Sequence, residues 1–305
     1  MYTSFIILVL CVPAFGFNSR FLSNRFNRLV VFGDSYADTG NAYQLTNRTY
    51  PISPPYYKGR YSNGPNWIDR FRVVKKLNYA YGSATTDNNL VVGRTKLGTI
   101  PVPGIRQQVA TYLNKTHPTI IDTILPTLHI ICSSGNDFVF NPTMNPLSSV
   151  NSLMNSVKDL LNVGVKNLVV FNQLPIQSLP YTKRFNQTQA LTQLTIGLNA
   201  AIAANLAALQ QIYTNAKIYL FDFNALFTKI LSNTLPMTFI NTVDGCWKVV
   251  NTTTVNKNCS KPNQYVFIDD FHFTGPVNQL ITDAFQSFLS NCYRNNTPNS
   301  YFRSF

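Results

Sequence analysis

Short apolar runs recur along the chain, at residues 29–32, 78–81, 128–132, 167–171 and 218–221, with longer polar or amphipathic segments between them. Each run is too short for a helix of useful length and has the form of a buried strand. The first ends at Gly33, which permits a sharp change of direction. The intervening segments read mostly as helices. The pattern predicts helices over 67–77, over 150–161 with Gly164 as a stop, over the Ala-, Leu- and Gln-rich 188–214, and over 275–290. Residues 50–65 are dominated by Pro, Tyr and Gly and predict an irregular loop. Apolar strands alternating with helices imply an α/β fold whose central parallel sheet is covered on both faces. No repeat, low-complexity block or linker interrupts the pattern, so one domain is expected.

The amino terminus departs from this pattern. Residues 5–12 are apolar but too few to span a bilayer, and Ala14 and Gly16 follow as a small-x-small cleavage site. Residues 1–16 therefore read as a signal peptide and 17–305 as the mature chain. Later in the sequence no eighteen residues are uninterruptedly apolar, so an integral membrane protein is not expected. Secretion would also explain the surface chemistry. Charged residues are only 12% of the chain, about half the usual share. Asn47, Asn114, Asn186, Asn251, Asn258 and Asn295 each open an N-x-Ser/Thr acceptor triplet. Of the cysteines, Cys11 leaves with the signal peptide. Cys246 and Cys259 flank a polar, turn-rich stretch and are expected to form a disulfide. Cys132 lies in an apolar run as a buried thiol, and Cys292 completes the set. No cysteine pair has zinc-ligand spacing. The net charge of +13 suits an anionic cell-wall or membrane surface, or serves solubility alone. Its cations are dispersed, which argues against nucleic acid.

Three sites carry chemistry worth weighing. Strand 29–32 runs into Gly33-Asp34-Ser35, a junction that presents a serine at the carboxyl edge of the sheet, where open α/β folds bind ligands. Ser35 is thus a candidate nucleophile, or else the cap of a helix. Of the three histidines, His117 sits in a loop before Pro118 and His129 inside a strand, whereas His272 follows Asp269 and Asp270 just before the last helix. A carboxylate three positions before a histidine can reach its Nδ1 within one loop, which makes His272 the candidate base. An oxyanion needs donors. Asn136, in Ser134-Gly135-Asn136-Asp137, offers a side-chain amide, and Gly82-Ser83-Ala84 offers backbone N–H groups.

These segments resemble the conserved blocks of the GDSL esterases and lipases, also called SGNH hydrolases. FGDSYADTGN is similar to the first block, NYAYGSATTDN to the second, SSGNDF to the third and DDFH to the D-x-x-H block, all in family order over about 28–292. The resemblance implies a three-layer α/β/α, flavodoxin-like fold and ester hydrolysis through an acyl-enzyme, without metal or organic cofactor. It implies Ser35 as nucleophile, His272 as base and Asp269 as its orienting partner. The implied oxyanion hole comprises the Ser35 N–H, a second-block N–H and Asn136. Two positions depart from the family pattern. Ser83 stands where the second block has the donor glycine, with Gly82 beside it as the alternative, and Ser134 replaces the first glycine of the third block. The same segments, with YSNGPNWID, resemble fungal carbohydrate acetylesterases, which implies short acyl or acetyl esters of sugars. Secreted lipases and phospholipases resemble it as well. The alternative of another class is a catalytically silent carbohydrate- or surface-binding protein.

Overall fold

A computed structural model describes residues 25–115, 126–133 and 135–294. The signal-peptide segment, His117, Ser134 and Asn295 lie outside the described residues. Five strands form one sheet: β1 (Arg28–Gly33), β2 (Lys75–Asn78), β3 (Thr127–Cys132), β4 (Asn167–Phe171) and β5 (Lys217–Phe221). Their spatial order is β2-β1-β3-β4-β5, and every pairing is parallel. The principal helices are α1 (Asn41–Leu45), α2 (Ile105–Lys115), α3 (Asn136–Phe140), α4 (Pro146–Asn162), α5 (Thr188–Ile212), α6 (Phe223–Leu231) and α7 (Gly275–Arg294).

The inner strands are largely apolar because both sheet faces are buried there. Successive side chains point to opposite faces. Leu29, Val31, Val169 and Phe171 accordingly enter the core under α6 and α7. Val30, Phe32, Leu168 and Val170 enter the second core, under α2, α4 and α5. Helix α5 is the one helix among the described residues long and apolar enough to cross a membrane. Here it lies on the sheet, with Leu198, Ile202, Leu206 and Leu209 in the second core.

Sequence and structure part company around the second strand. Instead of a helix over 67–77, residues 67–70 make a single turn. Asn66 and Asp69 close it reciprocally, each backbone N–H donating to the other's side chain at 3.0 Å. The strand then begins at Lys75 rather than at residue 78. It is an edge strand carrying Lys75 and Lys76, and such charges suit an unpaired edge while hiding the strand from a search for apolar runs. The pattern of apolar runs predicts no helix at α2, although Ile105, Val109 and Tyr112 are buried at helical spacing.

The strand order reverses direction between β1 and β3, the switch point at which the carboxyl ends of an open α/β sheet leave a crevice. Gly33 brings the two strand ends together. A Cβ there would stand 2.3 Å from the Cys132 carbonyl oxygen. The buried Gln108 side chain of α2 completes the junction, accepting from the Gly33 N–H and donating to the Gly33 carbonyl, both at 2.9 Å.

Candidate active site

Beyond Gly33 the chain makes one tight turn, in which the N–H groups of Ala37 and Asp38 donate to the Asp34 carbonyl. Ser35 opens this turn. Its own N–H has no partner among the described residues. Asp38, fully buried, accepts from the backbone N–H groups of Gly40, Asn41, Ala42 and Gly82 at 2.6–3.0 Å. One carboxylate therefore ties the serine turn to the loop after β2.

In that loop Gly82 and Ser83 have different surroundings. The Gly82 N–H is taken by Asp38, and a Cβ on Gly82 would stand 2.2 Å from the Tyr61 hydroxyl. Gly82 is thus a packing glycine and not an available donor. The Ser83 N–H is unpartnered among the described residues, and its residue lines the same cleft as Ser35. Ser83 holds this position with φ 72°, a left-handed conformation that costs a non-glycine residue roughly 1–2 kcal/mol. Asn136, the first residue of α3, donates one amide hydrogen to the Ala84 carbonyl at 2.9 Å and keeps a second. Next to it, the buried Asp137 accepts from the Thr86 hydroxyl and N–H, which fixes α3 against the Ser83 loop.

His272 approaches from the segment before α7. Its Nε2 lies 2.9 Å from Ser35 Oγ, and its Nδ1 lies 2.8 and 2.9 Å from the two Asp269 oxygens. The Asp269 Oδ1 also accepts from the N–H groups of Phe271 and His272, both at 2.8 Å, so the chain turns tightly between carboxylate and ring. Asp270 faces away and pairs with Arg184. Burial pushes the Asp269 carboxyl upward. The His272 ring, together with hydrogen bonds from His272, Tyr56 and the Phe271 N–H, outweighs burial and holds it below the usual carboxylate range.

Sequence reasoning missed the tyrosines. The irregular loop 50–65 delivers Tyr56, whose hydroxyl donates to Asp269 Oδ2 at 2.5 Å, and Tyr61, whose ring lies 4.8 Å from that of His272. Its density of aromatic residues was the available signal. Tyr56 is buried against Trp247, beside the Cys246–Cys259 disulfide expected from the sequence. His129 and Cys132 are the packed residues anticipated. His129 is fully buried with its Nε2 2.9 Å from the Tyr112 hydroxyl, and burial pushes it down to about 3.

Ser35 and His272 open into a cleft of about 570 Å³. Phe138 and Val139 of α3, Ile176, Leu179, and Leu191 and Leu194 of α5 make up much of its lining.

Residues 29–285 match the family described as GDSL-like Lipase/Acylhydrolase. The chain is 25% identical over 234 residues to the phosphatidylcholine-sterol acyltransferase of Aeromonas hydrophila, a match covering 73% of this chain and 66% of that protein. It is 24% identical over 297 residues to the thermolabile hemolysin of Vibrio parahaemolyticus, covering 88% and 67%. It thus spans about two thirds of the length of these relatives. Among solved structures, a carbohydrate acetylesterase from Sinorhizobium meliloti aligns at 13% identity with a TM-score of 0.47, over 87% of this chain and 98% of that one. With the family match running through all four sequence blocks, the chain belongs to the GDSL-like lipase/acylhydrolase family.

Proposed function

We propose that the chain is a secreted serine hydrolase of carboxylic esters, and that its acyl group is a long one from a lipid. The observation carrying the first part is the unbroken hydrogen-bonded line from Ser35 through His272 to Asp269. His272 Nε2 takes the Ser35 proton as Oγ attacks the ester carbonyl. The tetrahedral oxyanion accepts hydrogen bonds from the N–H groups of Ser35 and Ser83 and from Asn136. Collapse expels the alcohol, which leaves with the proton from His272. Water, deprotonated by His272, then frees the acid and restores Ser35. A silent binding protein would have no use for this arrangement.

The cleft supports the second part. Its apolar lining and volume suit the chain of a fatty acid, whereas the acetyl group favoured from sequence would leave most of that surface uncovered. The name of the Aeromonas relative also points to lipid acyl groups. Secretion is supported by the Cys246–Cys259 disulfide and by Asn47, Asn114, Asn186, Asn251 and Asn258, all exposed acceptor positions. A series of p-nitrophenyl esters from acetate to palmitate tests the acyl assignment. Rising kcat/KM with chain length is expected; a maximum at acetate would return the reading to a short-chain acetylesterase.

Asn136→Ala is expected to lower kcat by roughly 10²- to 10³-fold with a smaller change in KM, because the oxyanion exists only in the transition state. Steady-state kinetics on a short-chain ester check this. A change confined to KM would reassign Asn136 to ground-state substrate binding.

A further inference from the structure

Four donors converge on the buried Asp269 carboxylate, and three of them belong to its own loop: the N–H groups of Phe271 and His272, and His272 Nδ1. The fourth, the Tyr56 hydroxyl, comes from 213 residues away. It reaches Oδ2 at 2.5 Å, a length usual for a hydroxyl donating to a charged carboxylate. Two other tyrosines pack against the His272 ring, but their hydroxyls go elsewhere. That of Tyr36 donates to the Phe271 carbonyl at 3.1 Å, and that of Tyr61 meets the Thr95 hydroxyl at 2.9 Å. Only Tyr56 among the three bonds to the carboxylate itself.

Tyr56 is fixed through both its backbone and its ring. Its N–H donates to the Ile52 carbonyl at 3.0 Å, and its carbonyl accepts from the Ser53 hydroxyl at 2.7 Å. The ring meets Trp247 edge-on, with centroids 5.2 Å apart. Trp247 is in turn strapped to the segment that leads into Asp269, because the N–H groups of Cys246 and Trp247 donate to the carbonyls of Phe267 and Ile268. Gly245 lies against Asp269 itself, where a Cβ would stand 2.6 Å from the Asp269 carbonyl carbon. The tyrosine and the aspartate it bonds therefore share one mount.

We propose that Tyr56 is a positioning residue for ester hydrolysis, its hydroxyl holding the Asp269 carboxylate as an acceptor aimed at His272 Nδ1. This rests on the serine-hydrolase reading above. Burial favours a neutral Asp269 carboxyl; the His272 ring, and hydrogen bonds from His272, Tyr56 and the Phe271 N–H, oppose it. A carboxyl that took up a proton would donate to Nδ1, leaving the ring its proton on Nε2, where Ser35 needs an acceptor. A phenol also withdraws electron density from the carboxylate, which by itself weakens the pull on Nδ1. At a residue only 4% exposed, losing the donor outweighs that gain, because solvent cannot replace the hydroxyl. The phenols of Tyr36, Tyr50, Tyr56 and Tyr61, all near Asp269, are raised by burial and stay protonated. The Asp269–His272 pair is left to set the acid limb of activity.

Tyr56→Phe keeps the ring against Trp247 and removes one oxygen. On a short-chain ester it is expected to lower kcat by roughly 10-fold at neutral pH, with KM changed less than about twofold, as loss of part of a charge-assisted hydrogen bond predicts. The loss should grow as pH falls, moving the acid limb of the kcat profile to higher pH. With one donor gone the Asp269 carboxyl rises, and its ionised form is lost sooner on acidification. Added to Asp269→Asn, the same substitution should cost less than about twofold, because both changes act on one hydrogen bond. Wild-type kcat and an unmoved acid limb in Tyr56→Phe, with only the thermal midpoint lowered, overturn the proposal and make Tyr56 a packing residue. A further loss of about 10-fold in the Asp269→Asn background also overturns it. Near-wild-type turnover by Ser35→Ala would sink the serine-hydrolase reading. An inactive Ser35→Ala beside a fully active Tyr56→Phe sinks the positioning role alone.

Discussion

Ser35→Ala is expected to abolish ester turnover, lowering kcat by about 10⁴-fold or more, while the protein keeps its fold. The substitution removes one oxygen, whose hydrogen-bond partner is His272 Nε2. The turn around it is held by the Asp34 carbonyl and by the Asp38 carboxylate, neither of which it touches. Ser35 is also small and nearly buried, so alanine leaves little void. Circular dichroism and the thermal midpoint should therefore match the wild type within a few degrees. Any residual hydrolysis should come from the remaining donors and from substrate positioning, without a burst of acyl-enzyme. A folded variant retaining near-wild-type turnover would end the acyl-Ser35 mechanism.

Asp269→Asn comes next in size, with an expected fall in kcat of about 10³- to 10⁴-fold. The carboxylate accepts from His272 Nδ1, and this fixes which ring nitrogen faces Ser35. An amide can present its NH₂ group to Nδ1 instead, which would stabilise the tautomer bearing its proton on Nε2. Such a ring cannot accept the Ser35 proton. Two backbone N–H groups and the Tyr56 hydroxyl also donate to Asp269, so asparagine leaves at least one buried donor poorly matched and lowers stability as well. Asp270→Asn is the control. Its side chain pairs with Arg184, half exposed, where an ion pair contributes about 0–1 kcal/mol. Turnover of Asp270→Asn within about threefold of wild type is expected. The kcat of both variants on a short-chain ester, measured across pH after folding is confirmed, separates the two aspartates. Loss of activity in Asp270→Asn alone would reverse the assignment.

Much of the sheet was legible because a strand buried on both faces is apolar at most of its positions. Hence 128–132, 167–171 and 218–221 fall within a residue of β3, β4 and β5. β2 was misplaced for the same reason turned around: an edge strand has less to bury, and its Lys75 and Lys76 erase the signal. The candidate site was legible where a residue's chemistry and its place after a strand coincide, as at Ser35 and Asn136.

Through local spacing the sequence by itself determined the serine turn, the Asp–His segment before α7, the disulfide partners and the parallel α/β class. Only the tertiary structure distinguished each candidate from its neighbour. Asp269 faces the ring and Asp270 faces Arg184 because the chain turns between residues 269 and 272, and that turn is held by hydrogen bonds to Asp269 itself. Ser83 has the open N–H because Asp38, distant in sequence, takes that of Gly82. Tyr56 and Tyr61 reach the candidate site from an irregular segment, whose course is set by what it packs against. Residue periodicity encodes contacts within an element, and it is silent on contacts that form only when distant loops converge on one sheet edge.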